Sequence, residues 1–258
     1  MADFLDKFIE KARENLADGY YRSGIRFGGR GASLRKTIDE NDFTLICEIK
    51  HASPAGEYSF ENVDVERAAA EFRRNGADAI SVVVEPKIFG GDLGNVPVVK
   101  KAGLPVLFKD FVISEEQIEA AAEVGADAVL LIVKVAERLK LDLDKLIDCA
   151  HNNGLEVLLE SYDAREMEMA AQTDADILGI NNRDLRTLEV DLGLTGRILR
   201  TFGKIRKPVI SESGIRNAED VRFVKKSGAK GVLVGTAIWK AEDLGEKIRE
   251  LKRGGMNE

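Results

Sequence analysis

Gly125-Ala126-Asp127-Ala128-Val129-Leu130-Leu131-Ile132-Val133 sets the pattern on which the fold turns. A glycine that ends a helix is followed at once by an unbroken apolar run, as for a strand buried on both faces. The pattern recurs at Asn75-Gly76-Ala77-Asp78 before residues 79–84, at Thr173-Asp174-Ala175-Asp176 before 177–180, and at Gly228-Ala229-Lys230 before 231–235. Amphipathic stretches separate the runs, and helix alternating with strand at this interval gives parallel βαβ units. Strands are expected near residues 44–50, 79–85, 106–110, 128–134, 156–160, 177–181, 208–211 and 231–235. Eight strands favour closure. An open doubly wound sheet would also need a glycine-rich turn after its first strand, where this chain reads Lys50-His51-Ala52-Ser53-Pro54.

The expected fold is therefore α/β, a (β/α)8 TIM barrel, with residues 1–258 as one domain and residues 1–40 as an N-terminal helical extension. In that extension Phe4, Leu5, Phe8, Ile9, Ala12 and Leu16 fall at helical spacing. Such a helix can pack against one end of a barrel or cap its active site. Residues 20–31, with four glycines, read as an exposed loop.

A length of 258 residues suits such a barrel. The formal net charge of −7 argues against nucleic acid or an anionic membrane as partner. A few backbone amides can still hold a phosphate locally. Cys47, Cys149, His51 and His151 show no metal-ligand spacing, so no metal is expected. The charged first sixteen residues exclude a signal peptide, and no apolar run approaches the ~18 residues of a membrane span. A reduced, cytoplasmic protein, a monomer or weak homo-oligomer, is expected.

Catalytic groups of such barrels stand at the C-terminal ends of strands. Glu48 and Lys50 are two apart at the end of the first strand and share a face, while Cys47 and Ile49 take the other. The third strand ends on Lys109, the fifth on Glu160, and the sixth on Asn181 with Arg183 just beyond. The seventh ends Ser211-Glu212-Ser213-Gly214. A single buried charge can be structural. So many converging on one mouth are hard to explain as packing, because each costs desolvation. Gly214 after the seventh strand, and Gly235-Thr236 after the eighth, let backbone N–H groups approach an anion, which points to a phosphorylated small-molecule substrate.

These strand ends resemble the indole-3-glycerol phosphate synthase family. The matches run in order: Glu48-Ile49-Lys50-His51-Ala52-Ser53-Pro54, Phe89-Gly90-Gly91, Leu107-Phe108-Lys109-Asp110-Phe111, Leu130-Leu131-Ile132-Val133, Ile180-Asn181-Asn182-Arg183-Asp184-Leu185 and Ser211-Glu212-Ser213-Gly214-Ile215. The resemblance runs from about residue 44 to 240. The resemblance implies conversion of 1-(o-carboxyphenylamino)-1-deoxyribulose 5-phosphate to indole-3-glycerol phosphate, CO₂ and water, in tryptophan biosynthesis, with no cofactor. It implies Lys109 as general acid for ring closure, Glu160 in acid–base help, and Glu48 and Asn181 as orienting groups. Lys50 would bind substrate and serve in dehydration. Arg183 and Ser53 would hold the anthranilate carboxylate. Phe8, Phe89, Phe111, Leu131, Leu185 and Pro54 would wall the ring. Gly214, Gly235 and Thr236 would cradle the phosphate, with Ser213 and Glu212 beside the sugar. The chain departs from the family pattern at His51, Ala55 and Val84.

Three rivals compete. A phosphoribosylanthranilate isomerase-like barrel would need a cysteine base, and Cys47 is assigned to the wrong face. A Schiff-base, aldolase-type enzyme would use Lys109 or Lys50 with a lowered pKa. A non-catalytic binding protein on an inherited barrel would not need the intact polar set.

Overall fold

The apolar runs fold as eight parallel strands that pair in chain order and close on themselves: β1 (Thr44–Ile49), β2 (Ala79–Val83), β3 (Val106–Lys109), β4 (Ala128–Ile132), β5 (Glu156–Ser161), β6 (Ile177–Asn181), β7 (Val209–Glu212) and β8 (Gly231–Val234). This computed structural model describes residues 3–256 except 30, 54, 55, 57, 58, 61, 62 and 204, so Pro54 and Ala55 lie outside the described residues. Two helices, α1 (Phe4–Ala17) and α2 (Leu34–Glu40), precede β1. The connections carry α3 (Val65–Arg74), α4 (Asn95–Lys100), α5 (Glu115–Glu123), α6 (Val133–Leu139), α7 (Leu143–Asn152), α8 (Ala164–Gln172), α9 (Gly193–Phe202) and α10 (Ala218–Lys226). After β8 come α11 (Thr236–Trp239) and α12 (Leu244–Gly255). Short polar side chains start most of them: Asp64, Ser114, Asp142, Asp163, Asn217 and Asp243 each accept a backbone N–H of the first turn.

The strand register sorts the inward side chains into layers. Ile46 pairs with Ala79, Leu107 with Ala128, Leu158 with Ile177 and Ile210 with Gly231, and a two-residue step at each of the four even strands closes the barrel with a shear of eight. The odd strands supply Ile46, Leu107, Leu158 and Ile210, an apolar plug. The even strands supply Ser81, Leu130, Gly179 and Leu233 above it. Next, again from the odd strands, come Glu48, Lys109, Glu160 and Glu212. The outward members, Cys47, Val82, Phe108, Leu131 and Leu159 among them, pack under the helices in a separate core.

The recurrent aspartates have a common task. Asp78, Asp127 and Asp176 each stand just before an even strand and accept the N–H of a residue in the preceding odd strand: Leu45 at 2.8 Å, Val106 at 2.7 Å and Val157 at 2.8 Å. They tie neighbouring strands together at the bottom, where ladder bonds start. The glycines before the first two of them, Gly76 and Gly125, take positive φ of 102° and 89°, as helix-ending residues must. Asp127 also meets Lys100 Nζ at 2.5 Å, both side chains almost wholly buried. Lys100→Met strands that carboxylate and should cost about 3–5 kcal/mol of stability in denaturant titration, whereas Lys100→Met with Asp127→Asn should recover most of it.

The extension covers both ends of the barrel. Helix α1 lies over the C-terminal mouth: Phe4 N donates to Arg186 O at 3.1 Å, Asn15 Nδ2 donates to Glu85 at 3.2 Å, and Leu5, Phe8 and Ile9 join the inner core. Helix α2 lies below, where Arg35 N donates to Glu156 at 2.9 Å and Leu34 and Ile38 meet the barrel interior. Both expectations concern the first helix alone; α2 is an addition that the sequence reading does not contain. The segment between them is irregular, but its start is not an exposed loop. Tyr21 is buried and donates to Asp110 Oδ2 at 2.6 Å, and Tyr20 donates to Val84 O at 2.8 Å. Aromatic rings with polar tips anchored a segment that its glycines marked as surface.

Candidate active site

At the mouth, the layer Glu48, Lys109, Glu160 and Glu212 stands on the layer of Ser81, Leu130, Gly179 and Leu233. Lys109 Nζ lies 2.7 Å from Glu212 Oε2 and 3.9 Å from carboxylate oxygens of both Glu48 and Glu160. The three glutamate side chains are at most 4% exposed and that of Lys109 is 20% exposed. Lys50 reaches down to Glu48 Oε1 at 2.7 Å. Asn181 Nδ2 donates to Glu160 at 3.0 Å, and its carbonyl oxygen accepts from Arg183 N at 3.0 Å.

Crowding separates the ionisation states. Burial alone would lower the Lys109 pKa, but Glu212, Glu48 and Glu160 outweigh it and hold the ammonium above its ordinary value. Burial would raise Glu48, yet Lys50 and Lys109 overcome it and keep this carboxyl below its usual range. Glu160 goes the other way. Burial and the charge of Glu212 push it up to about 8, so at neutral pH it holds a proton. One layer thus presents a fixed cation, a fixed anion and a proton carrier.

These residues open into a cavity of about 720 Å³. One part of its wall is aromatic: Phe8 stacks on Phe111 with ring centroids 4.5 Å apart, and Phe89 lies 5.9 Å from Phe8 and 6.2 Å from Phe111. Ser53, Arg183 and Leu185 line the same cavity. Leu131 does not. Alternation along β4 turns Leu130 and Ile132 inward and Leu131 outward against the helices, which corrects the expected ring wall. Elsewhere the wall is formed by Ser213, Gly214, Gly235 and Thr236, with Arg216, Lys240 and Lys247 nearby. Ser213 and Gly214 both have left-handed φ, 64° and 82°, so the chain turns sharply there.

The family model described as indole-3-glycerol phosphate synthase matches residues 21–251. The chain belongs to the indole-3-glycerol phosphate synthase family. It is 40% identical over 259 residues to the indole-3-glycerol phosphate synthase of Methanopyrus kandleri, covering 98% of this chain and 99% of that one. It is 35% identical over 254 residues to that of Bacillus mycoides, with the same coverage. Among solved structures, thiamine phosphate pyrophosphorylase from Pyrococcus furiosus superposes with a TM-score of 0.61 at 20% identity, over 83% of this chain and 96% of that one. An N-acetylmannosamine-6-phosphate 2-epimerase from Clostridium perfringens gives 0.58 at 18% identity, over 81% and 93%. These two share the fold.

Within this indole-3-glycerol phosphate synthase family barrel, several supporting residues carry no sequence signal of their own. Glu85 accepts from the backbone N–H groups of Lys87, Ile88 and Phe89 at 2.9, 2.6 and 3.1 Å, and so holds the loop that presents Phe89. Asn182 faces outward and is fully buried. Its amide donates to Glu212 O and Ser213 O at 2.9 and 3.0 Å and accepts from Thr195 Oγ1 at 2.9 Å, pinning the turn after β7. Trp239 donates to Glu48 O at 2.7 Å. His51, a departure from the family pattern, bonds through Nδ1 to Gly90 O at 2.6 Å and links two rim loops. Cys47 is buried in the outer core, where desolvation raises its pKa, so it cannot reach the cavity as a base.

Proposed function

We propose that the chain catalyses the reaction of its family, closing the ring of 1-(o-carboxyphenylamino)-1-deoxyribulose 5-phosphate with loss of CO₂ and water. The observation that carries this is the Lys109 ammonium held among three buried glutamate side chains beside an aromatic wall. Ring closure needs a proton delivered to a ketone oxygen while an aromatic carbon attacks. A buried ammonium provides positive charge and a proton at that oxygen. Loss of water then needs an acid for the departing hydroxyl and a base for the ring proton. Lys50 is the donor placed nearest Glu48 for the first. Glu160, protonated at the start and 3.9 Å from Lys109, can return its proton to the amine that ring closure leaves on Lys109 and then, as the carboxylate, take the ring proton. Glu48 and Asn181 orient these groups.

Phe8, Phe89, Phe111 and Leu185 would hold the anthranilate ring, Ser53 and Arg183 its carboxylate, and Ser213 and Glu212 would stand beside the sugar. Gly214, Gly235 and Thr236 would take the phosphate. A Schiff-base reading needs a lysine with a depressed pKa, and the raised value of Lys109 disfavours it. We read residues 1–258 as one cytoplasmic barrel domain, a monomer or weak homo-oligomer without nucleic-acid partners. Appearance of indole fluorescence when the purified chain meets the substrate tests the activity, and its absence would refute it.

Arg183→Ala should raise KM by about 10- to 100-fold, the loss of one charged hydrogen-bonding contact, with Arg183→Lys recovering only part. Steady-state kinetics that leave KM unchanged would move the carboxylate contact elsewhere. Gly235 has a second constraint besides a phosphate. A β-carbon there would lie 2.5 Å from Glu48 Oε1. Gly235→Ala should therefore lower kcat as well as substrate affinity. A pure KM effect would show that Glu48 moves aside at no cost.

A further inference from the structure

Glu212 has one oxygen accounted for and one that is not. Its Oε2 receives the Lys109 ammonium at 2.7 Å, while Oε1 is buried without a hydrogen-bond partner among the described residues. A carboxylate oxygen out of water and without a donor is costly, so something must decide that it sits there. The layer below the charged one explains how it can. Ser81, Leu130 and Leu233 each project a side chain into that layer, and the fourth position is Gly179, between Glu160 on β5 and Glu212 on β7. A β-carbon built on Gly179 would collide with Glu212 Oε1. It would also lie 2.9 Å from Leu158 Cδ2 and 3.3 Å from Glu160 Cα.

We propose that Gly179 is a positioning residue for catalysis, whose missing side chain gives the Glu212 carboxylate the room it needs to sit against Lys109. The backbone of Gly179 is ordinary strand, with φ outside the left-handed region, so its conformation does not demand glycine. Of the three crowding atoms, Glu160 Cα belongs to the backbone and Leu158 is wedged in the plug. The carboxylate end of Glu212 is the part free to give way, and giving way takes it off Lys109. The ionisation of Lys109 follows, because Glu212 is the foremost of the charges that hold its pKa up against burial. Gly179 thus acts through Glu212 and touches no reacting atom.

The inference rests on the ring-closing function, and the test separates the two. Wild type, Gly179→Ala, Glu212→Asp and the double variant are compared in kcat, KM and thermal unfolding. In parallel, the pKa of Lys109 is read from the ¹³Cε signal of lysine-labelled protein, assigned with Lys109→Met. Gly179→Ala should lower kcat by about tenfold or more with KM little changed, a coupling within the range for side chains in contact. The same replacement in the Glu212→Asp background, where the shorter side chain leaves room, should cost less than about threefold. The Lys109 titration should move to lower pH in Gly179→Ala. If Gly179→Ala does not fold, the double variant should. Equal losses in both backgrounds, an unmoved Lys109 titration, or a double variant that fails to fold would each overturn the proposal. A wild-type protein inactive on the substrate would instead refute the assigned reaction, and the lysine titration would still decide the role of Gly179.

Discussion

Lys109→Met is expected to lower kcat by about 10²- to 10⁴-fold while KM stays within a few-fold, the signature of losing a positioned general acid. Methionine keeps approximate volume, so the aromatic wall and the plug should survive. What changes is charge. Glu48, Glu160 and Glu212 lose the cation 2.7–3.9 Å away that balanced them. Glu48 keeps Lys50 at 2.7 Å, but Glu160, already raised by burial and by Glu212, loses the cation that opposes that rise. Its folded-state pKa then lies further above the ordinary 4.5. The stability it contributes is complete below that value and is lost as pH rises through the raised value. The variant should therefore fold well in mild acid and weaken towards alkaline pH more steeply than the wild type. Lys50→Met should instead raise KM along with any fall in kcat, because Lys50 faces the cavity from the rim. Near wild-type turnover by Lys109→Met would transfer the acid role to Lys50.

Glu160→Gln should be the second severe loss, again about 10²- to 10⁴-fold in kcat if this carboxyl moves a proton. The replacement suits a group that is neutral at pH 7, since glutamine mimics the protonated acid in size and polarity. Asn181 Nδ2 keeps an acceptor at that site. The pH dependence carries the sharper test. Glu160 is raised from 4.5 to about 8 by burial and by Glu212. A raised carboxyl contributes stability that is present in full below pH 4.5 and disappears as pH climbs through about 8. Glu160→Gln removes that decline, so unfolding free energy should vary less with pH across this window than in wild type. In kcat/KM, which reports the free enzyme, wild-type activity should fall as pH rises through about 8 if the proton on Glu160 is donated first. A profile that climbs through that pH would make Glu160 the base instead.

Barrel and mouth were legible in the chain for different reasons. The fold could be read because a strand buried on both faces must be an apolar run, and a helix that ends before it needs a left-handed residue; Gly76 and Gly125 meet that need. The inward charges could be read because period-two alternation sorts Glu48 and Lys50 from Cys47 and Ile49, and the structure sorts them the same way. Leu131, expected in the ring wall, faces the helices, as the same alternation along β4 requires. Glu85 and Asn182 escaped notice because a side chain that serves backbone groups looks like any other polar residue until the loop is folded around it. Tyr21 was hidden by its glycine-rich neighbourhood, since composition cannot show that Asp110 waits opposite it.

The eightfold alternation, the residue types at the strand ends and the apolar stripe of the first helix are all written locally along the chain. Each follows from local periodicity and from what a buried backbone will tolerate. Which forces prevail at Lys109 is settled in three dimensions. Burial and carboxylate charge pull its pKa in opposite directions, and their balance depends on distances across the barrel between residues as far apart in sequence as Glu48 and Glu212. The same holds for Gly179, a small residue in a strand until closure with a shear of eight sets it beneath a carboxylate from the next strand. Electrostatic energy and steric room are functions of separation in space, and ring closure of the sheet is what converts chain order into those separations.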